Sequence, residues 1–147
     1  MKRRNFLKTA VAGAVVGSIQ LKHTKLFAKN NEQENPNDLV AVMGGTPVEM
    51  YERAMESMGG MGKYVKKGQK VVVKPNIGWD RTPEEAANTN PELVAAIVRD
   101  CLKAGASEVT VFDNTCDEWQ ACYKNSGIEA AAKAAGAKVA FGHEERY

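Results

Sequence analysis

Apolar positions along this chain follow two rhythms, and the places where one gives way to the other divide it into alternating helices and strands. Met50, Tyr51, Ala54, Met55 and Met58 recur three and four apart, the spacing that lines one face of an α-helix. Thr46-Pro47-Val48-Glu49 opens that helix with an N-cap, a proline at the first helical position and the partner of a capping box, and Gly59-Gly60 close it. The methionines read as core filler. A second helix opens at Asn90 and Pro91, carries Leu93, Val94, Ile97, Val98, Cys101 and Leu102 inward, and closes at Gly105. Between the two, Val71-Val72-Val73 is a continuous β-branched run of the kind buried on both faces of a parallel sheet, and Pro75 stops it. Asp38 to Met43, Glu108 to Phe112 and Lys138 to Phe141 read as further strands. Asp117 to Ser126 and Ile128 to Ala135 read as short helices. Residues 76–90 have no clear periodicity, and a connection of 15 residues belongs to the class that tends to carry function.

Strand starts near 38, 70, 107 and 138 lie 32, 37 and 31 residues apart, the length of one strand-helix unit. The pattern predicts an α/β fold: a mostly parallel sheet of about four strands with right-handed crossovers and helices on its faces. No closing helix follows the last strand, which leaves part of the sheet uncovered. The expectation is an incomplete part of a larger domain, completed by a missing C-terminal half or by a partner chain.

The N-terminus obeys another logic. Lys2, Arg3 and Arg4 precede a weakly apolar run from Thr9 to Ile19, too short to span a bilayer, and no acidic residue appears before Glu32. Arg3-Arg4-Asn5-Phe6-Leu7-Lys8 resembles the twin-arginine consensus, so residues 1–28 are expected to be a signal peptide for the twin-arginine translocation machinery, cleaved after Ala28. The protein would then be exported, to the periplasm or cell envelope. Residues 29–37 read as a polar, flexible lead-in and residues 38–147 as the domain.

This division changes the charge. Residues 1–28 hold six of the 20 Lys+Arg and none of the 18 Asp+Glu, so the remainder carries 14 against 18, a net charge of −4. A nucleic-acid partner, which calls for a basic stripe on the folded domain, is thereby excluded. Cys101, on the apolar face of a helix, reads as a small buried hydrophobe. Cys116 and Cys122 lie in a polar segment of an exported chain and are the candidates for a disulfide. Their spacing fits neither a redox C-x-x-C pair nor the usual zinc sites.

In an open parallel sheet, ligands bind beyond the carboxyl ends of the strands. Here those ends present Gly44, Gly45 and Thr46; Lys74, Asn76, Trp79 and Asp80; Asp113, Asn114 and Thr115; and His143 and Glu144. Lys74 ends a buried strand, so its ammonium needs an anion or open water. Asp113 suits a hydroxyl or a hard cation such as magnesium. Each has an ordinary use as well: Asp113 and Thr46 as helix caps, Lys74 as a rim lysine with its head in water. Standard templates are missing. No G-x-G-x-x-G follows a strand, Gly62-Lys63 lacks the rest of a phosphate-binding loop, and His143-Glu144 lacks the second histidine of a zinc protease. No catalytic residue is assigned.

Val71-Val72-Val73-Lys74-Pro75-Asn76, Asn88-Thr89-Asn90-Pro91-Glu92-Leu93 and Ala104-Gly105-Ala106-Ser107-Glu108-Val109, with Met58-Gly59-Gly60-Met61 upstream, resemble the N-terminal half of the domain of unknown function 362 family. The resemblance implies a longer α/β protein, found in bacteria and archaea, exported in some members and joined to ferredoxin-like iron–sulfur modules in others. It brings no settled activity. This chain lacks a C-x-x-C-x-x-C-x-x-x-C run, so no iron–sulfur cluster is expected in it, and its cofactor is unknown. Lys74, Asn76 and Thr89 fall within the quoted motifs, and with Asp113 they form the set of ligand-binding candidates. Two functions are consistent with them: part of an enzyme, redox-linked by the family resemblance, with an anion-binding cleft at the strand ends; or a non-catalytic exported module that binds a small anionic ligand or a partner protein.

Overall fold

A computed structural model describes residues 39–142, which lie within the compact unit Asn35–Tyr147. The expected signal with Arg3 and Arg4, its cleavage point, the lead-in, and His143 and Glu144 fall outside the described residues. Helix α1, Pro47–Ser57, starts where its capping box dictates: Glu49 N–H donates to Thr46 Oγ1 at 3.2 Å, and Thr46 N–H donates to Glu49 Oε2 at 2.7 Å. These bonds hold the Glu49 carboxyl below its ordinary range. A single 3-10 turn at Met61–Lys63 leads to strand β1, Lys70–Val73. Helix α2, Pro91–Lys103, strand β2, Glu108–Val111, helices α3, Trp119–Asn125, and α4, Ile128–Ala134, and strand β3, Lys138–Val139, follow.

The strands form one parallel sheet in the order β1-β2-β3, with Val71 opposite Val109, Val73 opposite Val111 and Val111 opposite Val139. Those valines share a face, since side chains alternate along a strand. They pack with Val94 and Val98 of α2, Ile128 and Ala132 of α4, and Cys122 and Tyr123 of α3 into one core. Between α2 and β2 the chain must pass very close to itself. Gly105 has φ +105°, and a Cβ there would stand 3.1 Å from Lys67 Cα, so the position requires glycine.

Three expectations are corrected. The first strand is absent among the described residues, which hold three strands. Leu39 and Met43 are 86% and 90% exposed, Arg53 takes the Met43 and Gly44 carbonyls that a ladder would have used, and Gly44 and Gly45 turn the chain into α1 with positive φ. Val71-Val72-Val73 is not buried on both faces. Val72 is 60% exposed, on the face that also carries Thr110 and the Lys138–Glu108 ion pair. The stripe of α1 is half-buried rather than core. Its firmest polar tie is Tyr51, whose hydroxyl donates to Asp100 Oδ2 at 3.0 Å. No described helix is long and apolar enough to cross a membrane.

Candidate functional site

Parallel pairing of β1 with β2 sets Val73 beside Val111, so Lys74, one residue past β1, and Asp113, two past β2, emerge at the same edge. They form an ion pair through Lys74 Nζ and Asp113 Oδ1. Its two ends differ sharply in environment: the lysine side chain is 63% exposed, the aspartate side chain 4%. Asp113 Oδ2 accepts from Ile77 N–H at 2.7 Å, while Oδ1 has the Lys74 ammonium and no hydrogen bond. A carboxylate this deep costs free energy unless paired. Lys74 and Ile77 supply the pairing.

Asp113 is also fixed by its main chain. Tyr123, fully buried on α3, accepts from Asp113 N–H at 2.7 Å and donates its hydroxyl proton to Asp113 O at 2.8 Å. Burial raises the Tyr123 pKa, which keeps the hydroxyl protonated for that second bond. Sequence reading missed this residue, although a tyrosine on the inner face of a helix must find a partner for its hydroxyl.

Asn76 and Thr89 reach the same edge in another role. Asn76 N–H donates to Thr89 Oγ1 at 3.0 Å, Thr89 N–H donates to Asn76 O at 3.0 Å, and Asn76 Nδ2 donates to Ala87 O at 3.0 Å. They clasp the two ends of the long connection, so their polar groups serve the loop first. Within it, Thr82-Pro83-Glu84-Glu85 makes a 3-10 turn, Pro83–Glu85, with Thr82 N–H donating to Glu85 Oε2 at 2.8 Å. Asn90, next in the chain after the clasped Thr89, caps α2, with Asn90 Oδ1 accepting from Leu93 N–H at 3.0 Å. Positive potential at that 13-residue helix's start favours an anion nearby.

A second set of contacts binds the connection to the segment after β2. Gly78 O accepts from Cys116 N–H at 2.9 Å and Asp117 N–H at 3.2 Å, Asp80 N–H donates to Asp117 Oδ2 at 3.0 Å, and Asn125 Nδ2 donates to Asp80 Oδ1 at 2.7 Å. Cys116 and Cys122, the disulfide candidates, are both free here, Cys116 exposed and Cys122 buried with its thiol 3.8 Å from Gly78 O. Burial pushes the Cys122 thiol up. Asn114 and Thr115 stand on the same segment, where Thr115 Oγ1 donates to Asp117 O at 2.7 Å.

Two cavities flank α1 instead. One of 650 Å³ is lined by Gly44, Gly45, Glu49, Glu52 and Arg53, and one of 470 Å³ by Met55, Met61, Asp100 and Lys103 among others. Both lie away from the strand ends, in surroundings rich in carboxylates. Among the described residues no group of three or more His, Cys, Asp or Glu side chains is placed to hold a metal ion.

A family model described as a domain of unknown function, DUF362, matches residues 71–147, which include every member of the Lys74, Asn76, Thr89 and Asp113 set. A protein of Synechocystis sp. named as thylakoid-associated is 41% identical over 51 residues. That match covers 35% of this chain and 16% of the relative. No solved structure matches the chain with significance.

Proposed function

This chain belongs to the DUF362 family, and from that premise we propose that it is an exported protein whose strand-end edge binds a small anionic ligand through Lys74, with Asp113 holding the lysine in place. The observation that carries the reading is the lopsided ion pair. Asp113 is buried and anchored by Ile77 and Tyr123, whereas the ammonium it holds faces solvent with donors to spare. A lysine has three N–H donors, and one carboxylate oxygen does not use them all. A phosphate or carboxylate taking the remaining donors would also meet the positive start of α2. A redox-linked enzymatic role rests on the family resemblance. The binding role rests on these side chains themselves, and so it comes first.

Calorimetric titration of the full chain with inorganic phosphate tests the proposal. Binding should be lost in Lys74→Ala while the circular dichroism spectrum and unfolding midpoint stay near native. Undiminished binding in that variant, or a variant that chiefly unfolds, returns Lys74 to a rim lysine.

A further inference from the structure

The chain has two tryptophans, both partly exposed and both on segments that follow the strand ends: Trp79, 46% exposed, in the connection after β1, and Trp119, 37% exposed, at the start of α3 after β2. Exposed indole faces offer a planar apolar surface on which another ring can stack. The Trp79 main chain is fixed on both sides. Its N–H donates to Asn88 Oδ1 at 3.1 Å, and its carbonyl accepts from Asn88 Nδ2 at 2.9 Å and from Arg81 N–H at 2.9 Å. It lies two residues beyond Ile77, the residue whose N–H grips Asp113. Trp119 ends an aromatic series that begins at the main chain of Asp113. Tyr123, bonded to the Asp113 main chain, packs edge-on to Phe141 at 5.0 Å, and Phe141 lies 4.1 Å from Trp119 between ring centroids. The bonds from Gly78 and Asp80 to residues 116 and 117 stitch the two tryptophan-bearing segments together.

Resting on the anion-binding reading of Lys74, we propose that the ligand joins a planar aromatic ring to its anionic group, the anion on Lys74 and the ring against the indoles of Trp79 and Trp119. Sugars also stack on indoles, but they are read through hydroxyls, and here the polar neighbours are spent on one another. Asn88 uses both ends of its amide on the loop, Asp80 is bonded to Asn125, and Asp117 receives the Asp80 N–H. Arg81, two residues from Trp79, is engaged by the Glu85 carboxylate and the Asp80 carbonyl, which leaves Lys74 to take the anion beside the stacking surface. Stacking alone on an indole raises affinity by about tenfold or more.

The test uses the full chain with phenyl phosphate, glycerol phosphate and inorganic phosphate, followed by tryptophan emission and calorimetry. All the emission comes from the two residues in question. Phenyl phosphate is expected to bind about tenfold more tightly than the other two and to quench the emission. Trp79→Ala should bring the three affinities together while phosphate binding persists. Equal affinities in the native chain, tighter binding of glycerol phosphate, or a preference that survives both Trp79→Ala and Trp119→Ala overturns the inference and leaves the anion site standing. Failure of all three probes to bind removes the anion site and the inference with it. Should Trp79→Ala fail to fold, the selectivity of the native chain decides alone.

Discussion

Tyr123 grips Asp113 by its main chain from both sides, accepting from its N–H and donating to its carbonyl through one hydroxyl. Tyr123→Phe keeps the ring in the core and removes that hydroxyl. Two buried backbone groups then lose their partner, and the expected destabilisation is about 1–3 kcal/mol. It should appear in urea unfolding as a lower midpoint at an unchanged slope.

The ion pair should respond unequally to its two deletions. Lys74→Ala takes the cation from a buried carboxylate, but the lysine lies mostly in water, which can approach Asp113 in its place, so the cost is expected at about 1 kcal/mol, below that of Asp113→Ala. Asp113→Ala strips the buried Ile77 N–H of its acceptor and should cost about 1–3 kcal/mol. Asp113→Asn, which keeps an acceptor, should recover part of that loss. Equal effects of the two alanine variants on thermal unfolding would contradict the asymmetry.

Alkaline stability should carry a tyrosine signature. Burial first, and then the bond to Asp100, raise the Tyr51 pKa above its ordinary 10.0, and burial does the same for Tyr123. A raised acid binds its proton more tightly folded than unfolded. Its contribution is therefore complete below about pH 10 and is lost as pH climbs from there toward the folded value. The gap between the unfolding midpoints of native protein and Tyr51→Phe should be constant below about pH 10 and narrow as the pH rises above it. Parallel curves would exclude this linkage.

Gly105→Ala should destabilise by about 1–3 kcal/mol, because alanine is strained at φ +105° and its Cβ would press on the Lys67 backbone. Gly62→Ala is the matched control. Gly62 has ordinary φ and nothing near its missing Cβ, so it should change stability by less than about 0.5 kcal/mol.

Export is expected to require both arginines of Arg3-Arg4. Arg3→Lys with Arg4→Lys should leave unprocessed precursor in the cytoplasm, as fractionation and immunoblotting would report. Normal processing of the double variant would rule out the twin-arginine route.

Much of this architecture was legible because its signals are local. Thr46 with Glu49, Asn90 with Pro91, and the glycines at 105 and 136 bracket helices through chemistry contained in a few residues. The first strand misled for a non-local reason: an extended apolar run is a strand only when a neighbour takes its carbonyls, and Arg53 takes them here. Val72 misled likewise, since β-branching states a preference for extended backbone and nothing of what lies across the sheet. Thr82-Pro83-Glu84-Glu85 repeats the pattern of Thr46-Pro47-Val48-Glu49 and could have been read, but no apolar stripe follows it. Lys74 and Asp113 could be placed at one edge from strand order alone. That Asn76 and Thr89 clasp a loop, and that Tyr123 fixes Asp113, depends on three-dimensional proximity that no spacing encodes.

The register of β1 against β2 has a kinetic meaning. Lys74 and Asp113 are 39 residues apart in the chain, and they meet once Val73 has docked beside Val111 over the completed α2 crossover. Closing a loop of that size costs roughly 3 kcal/mol in chain entropy beyond a constant, far more than one half-hydrated ion pair returns. The pair therefore cannot nucleate the sheet and follows the docking of β1 beside β2. Its appearance reports that β1 and β2 are in register, and a ligand held there would select chains whose parallel pairing is already made.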